Sequence, residues 1–119
     1  MPRRRTNPDY LNGVPELLIL QLLSRRPMHG YELVQAIRQA TSGMLEFGEG
    51  CVYPILHRLE ADGLLSSRCE TVAGRSRVVY RITPQGSVRL AQTVGAWQQI
   101  VHTVNQALQG GTHGQPALV

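Results

Sequence analysis

Cysteine is scarce in this sequence, and its two cysteines are not spaced to hold a metal. Cys51 and Cys69 form no Cys-x-x-Cys pair, and no His-x₃₋₅-His pair accompanies them. The spacing therefore gives no support for a structural zinc site. We expect both cysteines to be reduced, and we expect neither a bound metal nor a cofactor.

Long apolar runs are also absent. A helix that crosses a bilayer needs ~20 predominantly apolar residues, whereas the longest uninterrupted run here is Leu17–Leu20, which ends at Gln21. The basic start Met1–Arg5 is followed by no apolar segment, so it lacks the pattern of a secretory signal. These features predict a cytoplasmic protein that has no membrane partner.

The sequence also lacks the residue sets that support catalysis. It contains no Gly-rich phosphate loop, Ser-His-Asp set or convergent pair of carboxylates. His29 and His57 are each isolated. The first is placed to start a helix, and the second is placed to meet DNA or water. We expect no enzymatic activity.

What the sequence does contain is an excess of arginine. Its 119 residues include twelve basic residues, all of them Arg, against eight acidic ones, which gives a net charge of +4. With 42% hydrophobic residues, this is the composition of one soluble globular domain. The basic balance indicates an anionic partner without identifying it, so the positions of the arginines matter more than their number.

Two helices are predicted in the first third of the chain. One begins near Val14, where Pro15 suits a first helical turn, and is stopped by Arg25-Arg26-Pro27. The other runs from His29-Gly30 to Ala40. Its inner face is predicted to contain Tyr31, Val34, Ile37 and Ala40.

A third helix has the clearest periodicity. Val52, Ile55, Leu56 and Leu59 recur at i, i+3, i+4 and i+7, which predicts a single apolar stripe. Pro54 then belongs to the first turn, so we expect the helix to start at Gly50 or Cys51 and to end at Asp62-Gly63. The remaining positions are predicted to face outward, as a DNA-recognition helix requires: Cys51, Tyr53, His57, Arg58 and Ala61.

A β-hairpin is predicted directly after the third helix. Residues 64–70 and 77–82 have the composition of strands, and the loop 72–76 joins them. Arg75 and Arg77 lie where the wing of a winged helix-turn-helix touches the phosphates that flank its site. Together with the outward face of the third helix, they favour nucleic-acid binding.

The last helix is predicted to begin at Thr83, as N-cap, and Pro84. Its apolar residues repeat at alternating spacings of four and three, which is a heptad seam. Because monomers avoid a long apolar stripe in water, the seam predicts a twofold dimer; the open alternative is packing against the first helix of the same chain. The seam consists of Leu90, Val94, Trp97, Val101, Val104 and Leu108.

The order of these elements predicts an α+β fold, namely a winged helix-turn-helix of three helices and a β-hairpin wing, followed by a long C-terminal dimerisation helix. We expect a flexible basic arm at 1–12, the DNA-binding domain at 13–83, the dimerisation helix at 84–109 and a disordered tail at 110–119. The arm contains Arg3-Arg4-Arg5, which can add DNA contacts.

The segments PMHGYEL (Pro27–Leu33), GCVYPILHRLEADGL (Gly50–Leu64) and RVVYRITPQG (Arg77–Gly86) follow one another in the same order as three motifs of a known family. They resemble motifs of the PadR family of transcriptional regulators. Pro27–Leu33 (PMHGYEL) resembles the family's P-x-H-G-Y-E-L segment. Gly50–Leu64 (GCVYPILHRLEADGL) resembles its G-x-x-Y-P-x-L-x-R-L-E-x-x-G-L recognition helix, and Arg77–Gly86 (RVVYRITPQG) resembles its closing R-x-x-Y-x-[LI]-T-x-x-G signature. The match covers about residues 14–108, and the order of the segments makes it specific.

The resemblance implies a dimeric, DNA-binding repressor of the compact subfamily with a single C-terminal helix. It places Tyr53, His57 and Arg58 on the DNA-facing part of the recognition helix, Arg77 in the wing and Tyr31 near the helix that contacts the DNA backbone. Val79 and Cys51 depart from the usual family residues. A twofold dimer would read half-sites about one helical turn apart on a roughly palindromic operator.

The resemblance also suggests an effector. In multidrug-responsive relatives a tryptophan of the last helix stacks on planar ligands, so we expect that Trp97 either packs in the dimer interface or binds a planar aromatic compound. Two other hypotheses remain open. One is a metal- or redox-responsive regulator that uses Cys51, Cys69, His57 and His102, and the other is a winged helix that only contacts proteins.

Overall fold

The computed structural model describes residues 13–110. The predicted basic arm (1–12), including Arg3-Arg4-Arg5, and residues 111–119 of the predicted tail lie outside the described residues. In chain order the elements are α1 (Val14–Arg25), β1 (Met28–His29), α2 (Gly30–Ala40), α3 (Glu49–Ala61), β2 (Leu65–Val72), β3 (Arg75–Ile82) and α4 (Pro84–Leu108). This arrangement confirms the predicted α+β winged helix-turn-helix with a long C-terminal helix.

The hydrophobic core lies between the first three helices and one face of the sheet. The apolar stripe predicted for α3 is confirmed, because Val52, Leu56 and Leu59 are fully buried and Ile55 packs against them. Phe47, from the loop between α2 and α3, is also buried. The other fully buried side chains are Ile19, Leu20, Leu33 and Ile37.

The predicted inner face of α2 is confirmed at Ile37, which is fully buried, and at Val34, which packs against the core, but not at Tyr31 or Ala40. Gly30, Leu33 and Ile37 are buried, whereas Tyr31 is 45% exposed and Ala40 is exposed. Gly30 faces α3 in this arrangement, because a Cβ there would overlap the side chain of Tyr53. The start of α2 is held by a capping box, in which His29 Nδ1 accepts from the Glu32 N–H at 3.3 Å and Glu32 Oε1 accepts from the His29 N–H at 3.4 Å.

The start of α3 also differs from the prediction. The helix begins at Glu49, with Gly48 as N-cap, so Pro54 lies in the second turn rather than the first. Proline has no N–H, and the carbonyl of Gly50 therefore lacks its usual i+4 donor. The C-terminus is as predicted: Gly63 adopts φ 80°, and the Leu64 N–H reaches back to the Leu59 carbonyl at 2.9 Å.

The sheet contains one strand that the sequence did not predict. The strand order is β1-β3-β2, all antiparallel, and the two-residue β1 pairs Met28 with Tyr80 and His29 with Val79. A strand of two residues has no periodicity to detect. The hairpin loop is also shorter than predicted, because Val72 pairs with Arg75 and only Ala73 and Gly74 turn the chain. Both have positive φ, 52° and 79°, as a type I′ turn requires.

The start of α4 is fixed by a joint with the end of α3. Thr83 is the predicted N-cap: its Oγ1 accepts from the Gly86 N–H at 3.0 Å and donates to the Gly63 carbonyl at 2.7 Å. Gly86 is buried, and a Cβ there would overlap the carbonyl oxygen of Leu64. Beyond Val94 the helix extends away from the domain, since residues 95–108 are all exposed. Among the described residues, no helix combines the length and the apolar character needed to cross a bilayer.

We predict that Gly86→Ala lowers the free energy of unfolding by about 1–3 kcal/mol, because the added methyl group must push against backbone rather than against a movable side chain. Gly95→Ala in the same helix is the matched control. A Cβ at position 95 meets nothing within 4 Å, so this change should raise the free energy of unfolding by about 0.5–1 kcal/mol through helix propensity. Urea unfolding measures the free energy of unfolding of both variants. Equal effects of the two changes would contradict the close packing of Gly86 against Leu64.

Candidate nucleic-acid interface

The face of α3 opposite the core is exposed and composed of small or polar residues. Gly50, Pro54, His57 and Ala61 lie on it, and all four are exposed. Their spacing of four, three and four positions makes one continuous stripe on a helix of 3.6 residues per turn. Such a stripe allows close approach to a nucleic-acid groove, and the imidazole of His57 supplies a polar group near its middle.

Tyr53 lies on one flank of this stripe and joins α3 to α2. Its ring is half-buried, and a Cβ at Gly30 would overlap the ring atoms and the hydroxyl oxygen. The phenol therefore sits over the first residue of α2, at the positive end of the helix dipole, which favours an anion. The ring centroid of His57 is 6.2 Å away, tilted by 47°. Tyr53 and His57 thus form one aromatic surface.

Tyr31 is the third aromatic candidate near this surface, after Tyr53 and His57. It follows Gly30 directly, its side chain is exposed, and its Oη accepts a hydrogen bond from Gln35 Nε2 at 3.0 Å. The hydroxyl can still donate to a phosphate oxygen, because a phenol is both a donor and an acceptor. The start of α2 therefore carries two hydroxyl groups, one from Tyr31 and one from Tyr53.

Arg58 lies apart from these residues, on the opposite flank of α3. Its Nη2 donates to Glu16 Oε1 of α1 at 2.6 Å. The guanidinium group remains half-exposed, but the geometry directs it toward α1 and not toward the stripe around His57. Sequence reasoning grouped Arg58 with Tyr53 and His57 because all three belong to the same helix. The ion-pair partner of Arg58 stands 42 positions earlier in the chain, so the spacing within α3 does not reveal it.

The wing presents a row of arginines on one face of the hairpin. Side chains of a strand alternate between faces, and directly paired residues share a face. Arg75, Arg77 and Arg81 of β3 therefore lie on the same face as Arg68, which pairs with Val79. The sequence analysis named Arg75 and Arg77 but not Arg81, although the period of two in β3 places Arg81 on the same face. Arg68 could be assigned to that face only once the register of the hairpin was known.

These four arginines differ in how their charge is balanced. Glu70 lies on the same face, with its Oε2 2.8 Å from Arg81 Nη1 and 3.6 Å from Arg68 Nε. Within residues 13–110, no acidic side chain forms an ion pair with Arg75 or Arg77. The end of the wing thus carries two arginines that form no ion pair, although Glu70 lies directly opposite Arg77 in the hairpin. An unpaired positive charge is the property that binds phosphate without reading sequence.

The two cysteines lie in different environments. Cys51 is half-buried at the start of α3, and burial raises the pKa of its thiol, so the thiol is protonated and poorly nucleophilic at neutral pH. Cys69 is exposed on the other face of the hairpin, with its Sγ 3.3 Å from Ser76 Oγ. In the part of the chain that the structure describes, no three His, Cys, Asp or Glu residues are grouped so as to hold a metal ion.

The apolar seam of α4 divides into a covered part and an exposed part. Leu90 packs against the core and Val94 is half-buried. The alternative that the seam packs against α1 of the same chain therefore applies only to its beginning. The rest is exposed, with Trp97 at 45%, Val101 at 37%, Val104 at 48% and Leu108 at 77%.

Comparison with known proteins shows which family the chain is similar to. Residues 19–92 match the model of the transcriptional regulator PadR-like family. The chain is 35% identical over 105 residues to the transcriptional regulator Rv3488 of Mycobacterium tuberculosis, a match that covers 88% of this chain and 92% of that protein.

Solved structures of similar proteins have the same fold. A transcriptional regulator from Clostridium thermocellum superposes with a TM-score of 0.77 at 29% identity, covering 83% of this chain and 97% of that one. The PadR-like regulator BC4206 of Bacillus cereus gives a TM-score of 0.75 at 30% identity, covering 86% and 98% of the two chains.

Proposed function

The chain belongs to the PadR-like family of DNA-binding transcriptional regulators, and on this premise we propose that it is a homodimeric repressor that a planar aromatic effector releases from a roughly palindromic operator. In this proposal residues 13–83 bind DNA, and residues 84–109 form the dimerisation helix. One observation carries the proposal: the exposed apolar seam of α4 belongs to the same rigid helix that begins at the DNA-binding domain. A repressor of this kind acts on genomic DNA in the cytoplasm.

Dimerisation is supported by the amount of apolar side chain that α4 leaves in water. Trp97, Val101, Val104 and Leu108 follow the heptad spacing, and Ile100 lies beside them at 57% exposure. Burying one such side chain contributes about 1.5–3 kcal/mol, and a twofold axis lets each side chain be buried by the equivalent helix of a second copy. The seam of one chain is therefore covered by the seam of another.

DNA recognition in this proposal is divided between α3, the start of α2 and the wing. His57, at the centre of the exposed stripe, enters the major groove, with Cys51 and Tyr53 beside it. The hydroxyl groups of Tyr31 and Tyr53 donate hydrogen bonds to phosphate oxygens at the start of α2. Arg75 and Arg77 contact the flanking phosphates. Arg58 does not contact DNA in this proposal, because its guanidinium group pairs with Glu16. Its contribution to DNA binding is to hold α3 in position.

The effector is proposed to bind at Trp97. Its indole is half-exposed in the middle of the seam, so a twofold axis that runs along α4 brings two indoles close together. A planar aromatic compound inserted between them gains stacking on both faces, and a cationic one gains cation–π attraction as well. Such a ligand changes the separation of the two helices and thereby the separation of the DNA-binding domains.

The alternative hypotheses have weaker support. A metal- or redox-responsive regulator would need ligands or thiolates that converge, whereas Cys51 is half-buried with a raised thiol pKa and Cys69 lies on the hairpin. A winged helix that contacts only proteins does not fit a family whose members bind DNA.

We predict that Val101→Asp converts the protein into a monomer, because the new carboxylate must be desolvated in the centre of the seam. Gln99→Asp places the same charge on the same helix, two positions from the seam residue, and should leave the dimer intact. Sedimentation equilibrium distinguishes twice the chain mass from the chain mass. Wild-type protein that sediments at the chain mass would contradict the proposed dimer.

We predict that Arg75→Ala and Arg77→Ala each reduce the slope of log K against log salt by about one, since each removes one phosphate contact. Binding is measured by fluorescence anisotropy on a duplex selected by the wild-type protein from a random-sequence pool. Arg38→Ala is the control, because Arg38 lies on α2 and pairs with Glu46. The wing would have no role in DNA binding if all three variants kept the wild-type slope.

We predict that a planar aromatic cation such as ethidium quenches the Trp97 fluorescence of the DNA-free dimer in a saturable manner. Trp97 is the only tryptophan in the chain, so the signal reports this position alone. Trp97→Leu should abolish binding when it is followed by the fluorescence of the dye. Binding that survives Trp97→Leu would place the ligand elsewhere, and the absence of quenching by any planar aromatic compound would remove the effector from the proposal.

A further inference from the structure

The carboxylate of Glu16 connects the recognition helix to the C-terminal helix. Glu16 lies in the first turn of α1, and its side chain is 21% exposed. Its Oε1 accepts from Arg58 Nη2 of α3 at 2.6 Å, and its Oε2 lies 3.5 Å from Arg89 Nη1 of α4. One partly buried carboxylate thus joins three helices that are distant in the sequence.

These contacts have no counterpart elsewhere in the described chain. Among residues 13–110, Glu16–Arg89 is the only ion pair that links α4 to another element, and Glu16–Arg58 is the only ion pair that α3 makes. The remaining contacts of α4 with the domain are apolar or involve its N-cap. Apolar packing is not directional, whereas a charge-assisted hydrogen bond fixes the relative position of its two partners.

We propose that Glu16 is a positioning residue that fixes the angle between α3 and α4 and thereby the separation of the two recognition helices in the dimer. This inference depends on the proposed function, because the separation matters only if two copies bind one operator. Arg58 then acts on DNA through the placement of α3. The partial burial of Glu16 supports this role, because its carboxylate is held between the three helices, while the side chains of Arg58 and Arg89 remain 55% and 43% exposed.

The consequence is a specific requirement on the operator. Half-sites lie about 34 Å apart, one helical turn, and each inserted base pair moves one half-site by about 3.4 Å and rotates it around the duplex. A rigid angle between α3 and α4 rejects such an operator. If Glu16 cannot hold both arginines, the angle varies and the incorrect spacing is tolerated.

The test uses full-length dimers of the wild type and of Glu16→Gln, which keeps the shape of the side chain and removes its charge. Glu46→Gln is the matched control, because Glu46 pairs with an arginine, Arg38, that belongs to neither α3 nor α4, and its replacement changes the net charge equally. The probes are the duplex selected by the wild-type protein from a random-sequence pool, the same duplex with one or two base pairs inserted at its centre, and a single half-site. Anisotropy gives the affinity ratio between probes, which does not depend on the fraction of folded protein.

We expect the two inserted base pairs to weaken binding of the wild type and of Glu46→Gln by about 10-fold or more, as misplacing a half-site costs at least one mismatched contact. For Glu16→Gln we expect the penalty to fall below about 3-fold, with unchanged affinity for the half-site and an unchanged salt slope. Arg89→Gln should lower the spacing penalty in the same way, because it removes the ion pair between α4 and Glu16 and leaves the ion pair of Arg58 in place.

Two results would overturn the proposal. Equal spacing penalties for Glu16→Gln and Glu46→Gln would show that Glu16 does not position the helices. The second such result is tighter binding of Glu16→Gln to every probe, with a slope of log K against log salt that is steeper by about one. It would show that Glu16 keeps Arg58 from contacting a phosphate.

A measurement without DNA separates this inference from the proposed function. Spin labels at Ala61→Cys, in a Cys51→Ser, Cys69→Ser background, report the distance between the two α3 helices of a dimer. Glu16→Gln should broaden the distribution of distances relative to Glu46→Gln, and an equal width would count against the positioning role. Failure of the wild type to select any duplex would contradict the proposed function instead.

Discussion

The segment Gly63-Leu64 is where the end of α3, the sheet and the start of α4 are fixed to one another. The Leu64 N–H caps α3 through the Leu59 carbonyl, and the Leu64 carbonyl accepts from the Thr83 N–H at 3.1 Å. Thr83 also donates to the carbonyl of Gly63, and Gly86 packs against Leu64 without space for a side chain. Backbone groups of three elements are therefore satisfied at one place. The recognition helix, the wing and the helix with the exposed seam share this single point of attachment.

The elements that the sequence predicts well are those whose information is local. The stripe of α3 repeats over eight positions, and Thr83 caps α4 with a group three positions away, so periodicity and capping chemistry suffice. The two-residue strand β1 has no such signal, because it exists only through its pairing with β3. The rotation of α2, with Tyr31 outward, is likewise set by a neighbour: Gly30 faces the ring of Tyr53, which is 23 positions later in the chain.

The residues of the candidate site also divide into those that local sequence patterns predict and those that depend on contacts between distant residues. The sequence predicted Tyr53, His57, Arg75 and Arg77 from helical position and from the hairpin, and the structure shows why two of the motifs that resemble the family belong together. Gly30 of the first motif leaves room for Tyr53 of the second, and His29 with Glu32 caps the helix that begins there. The place of Arg58 depended on Glu16, and the inclusion of Arg68 depended on strand register. Neither relation is visible from spacing within one element.

The distribution of paired and unpaired arginines matters more for function than the net charge of the chain. Arg58 and Arg89 share Glu16, and Arg68 and Arg81 share Glu70. A phosphate that approaches one of these arginines meets a carboxylate as well, so the attraction is reduced and the guanidinium group is already oriented. Arg75 and Arg77 have no such partner among the described residues, and they lie at the end of a two-stranded projection. In the proposed function, attraction to phosphate is concentrated at the wing, whereas Arg58 and Arg89 connect α3 and α4 to Glu16. On that proposal, contact with phosphate and the placement of α3 are separate properties of the fold, carried by different arginines.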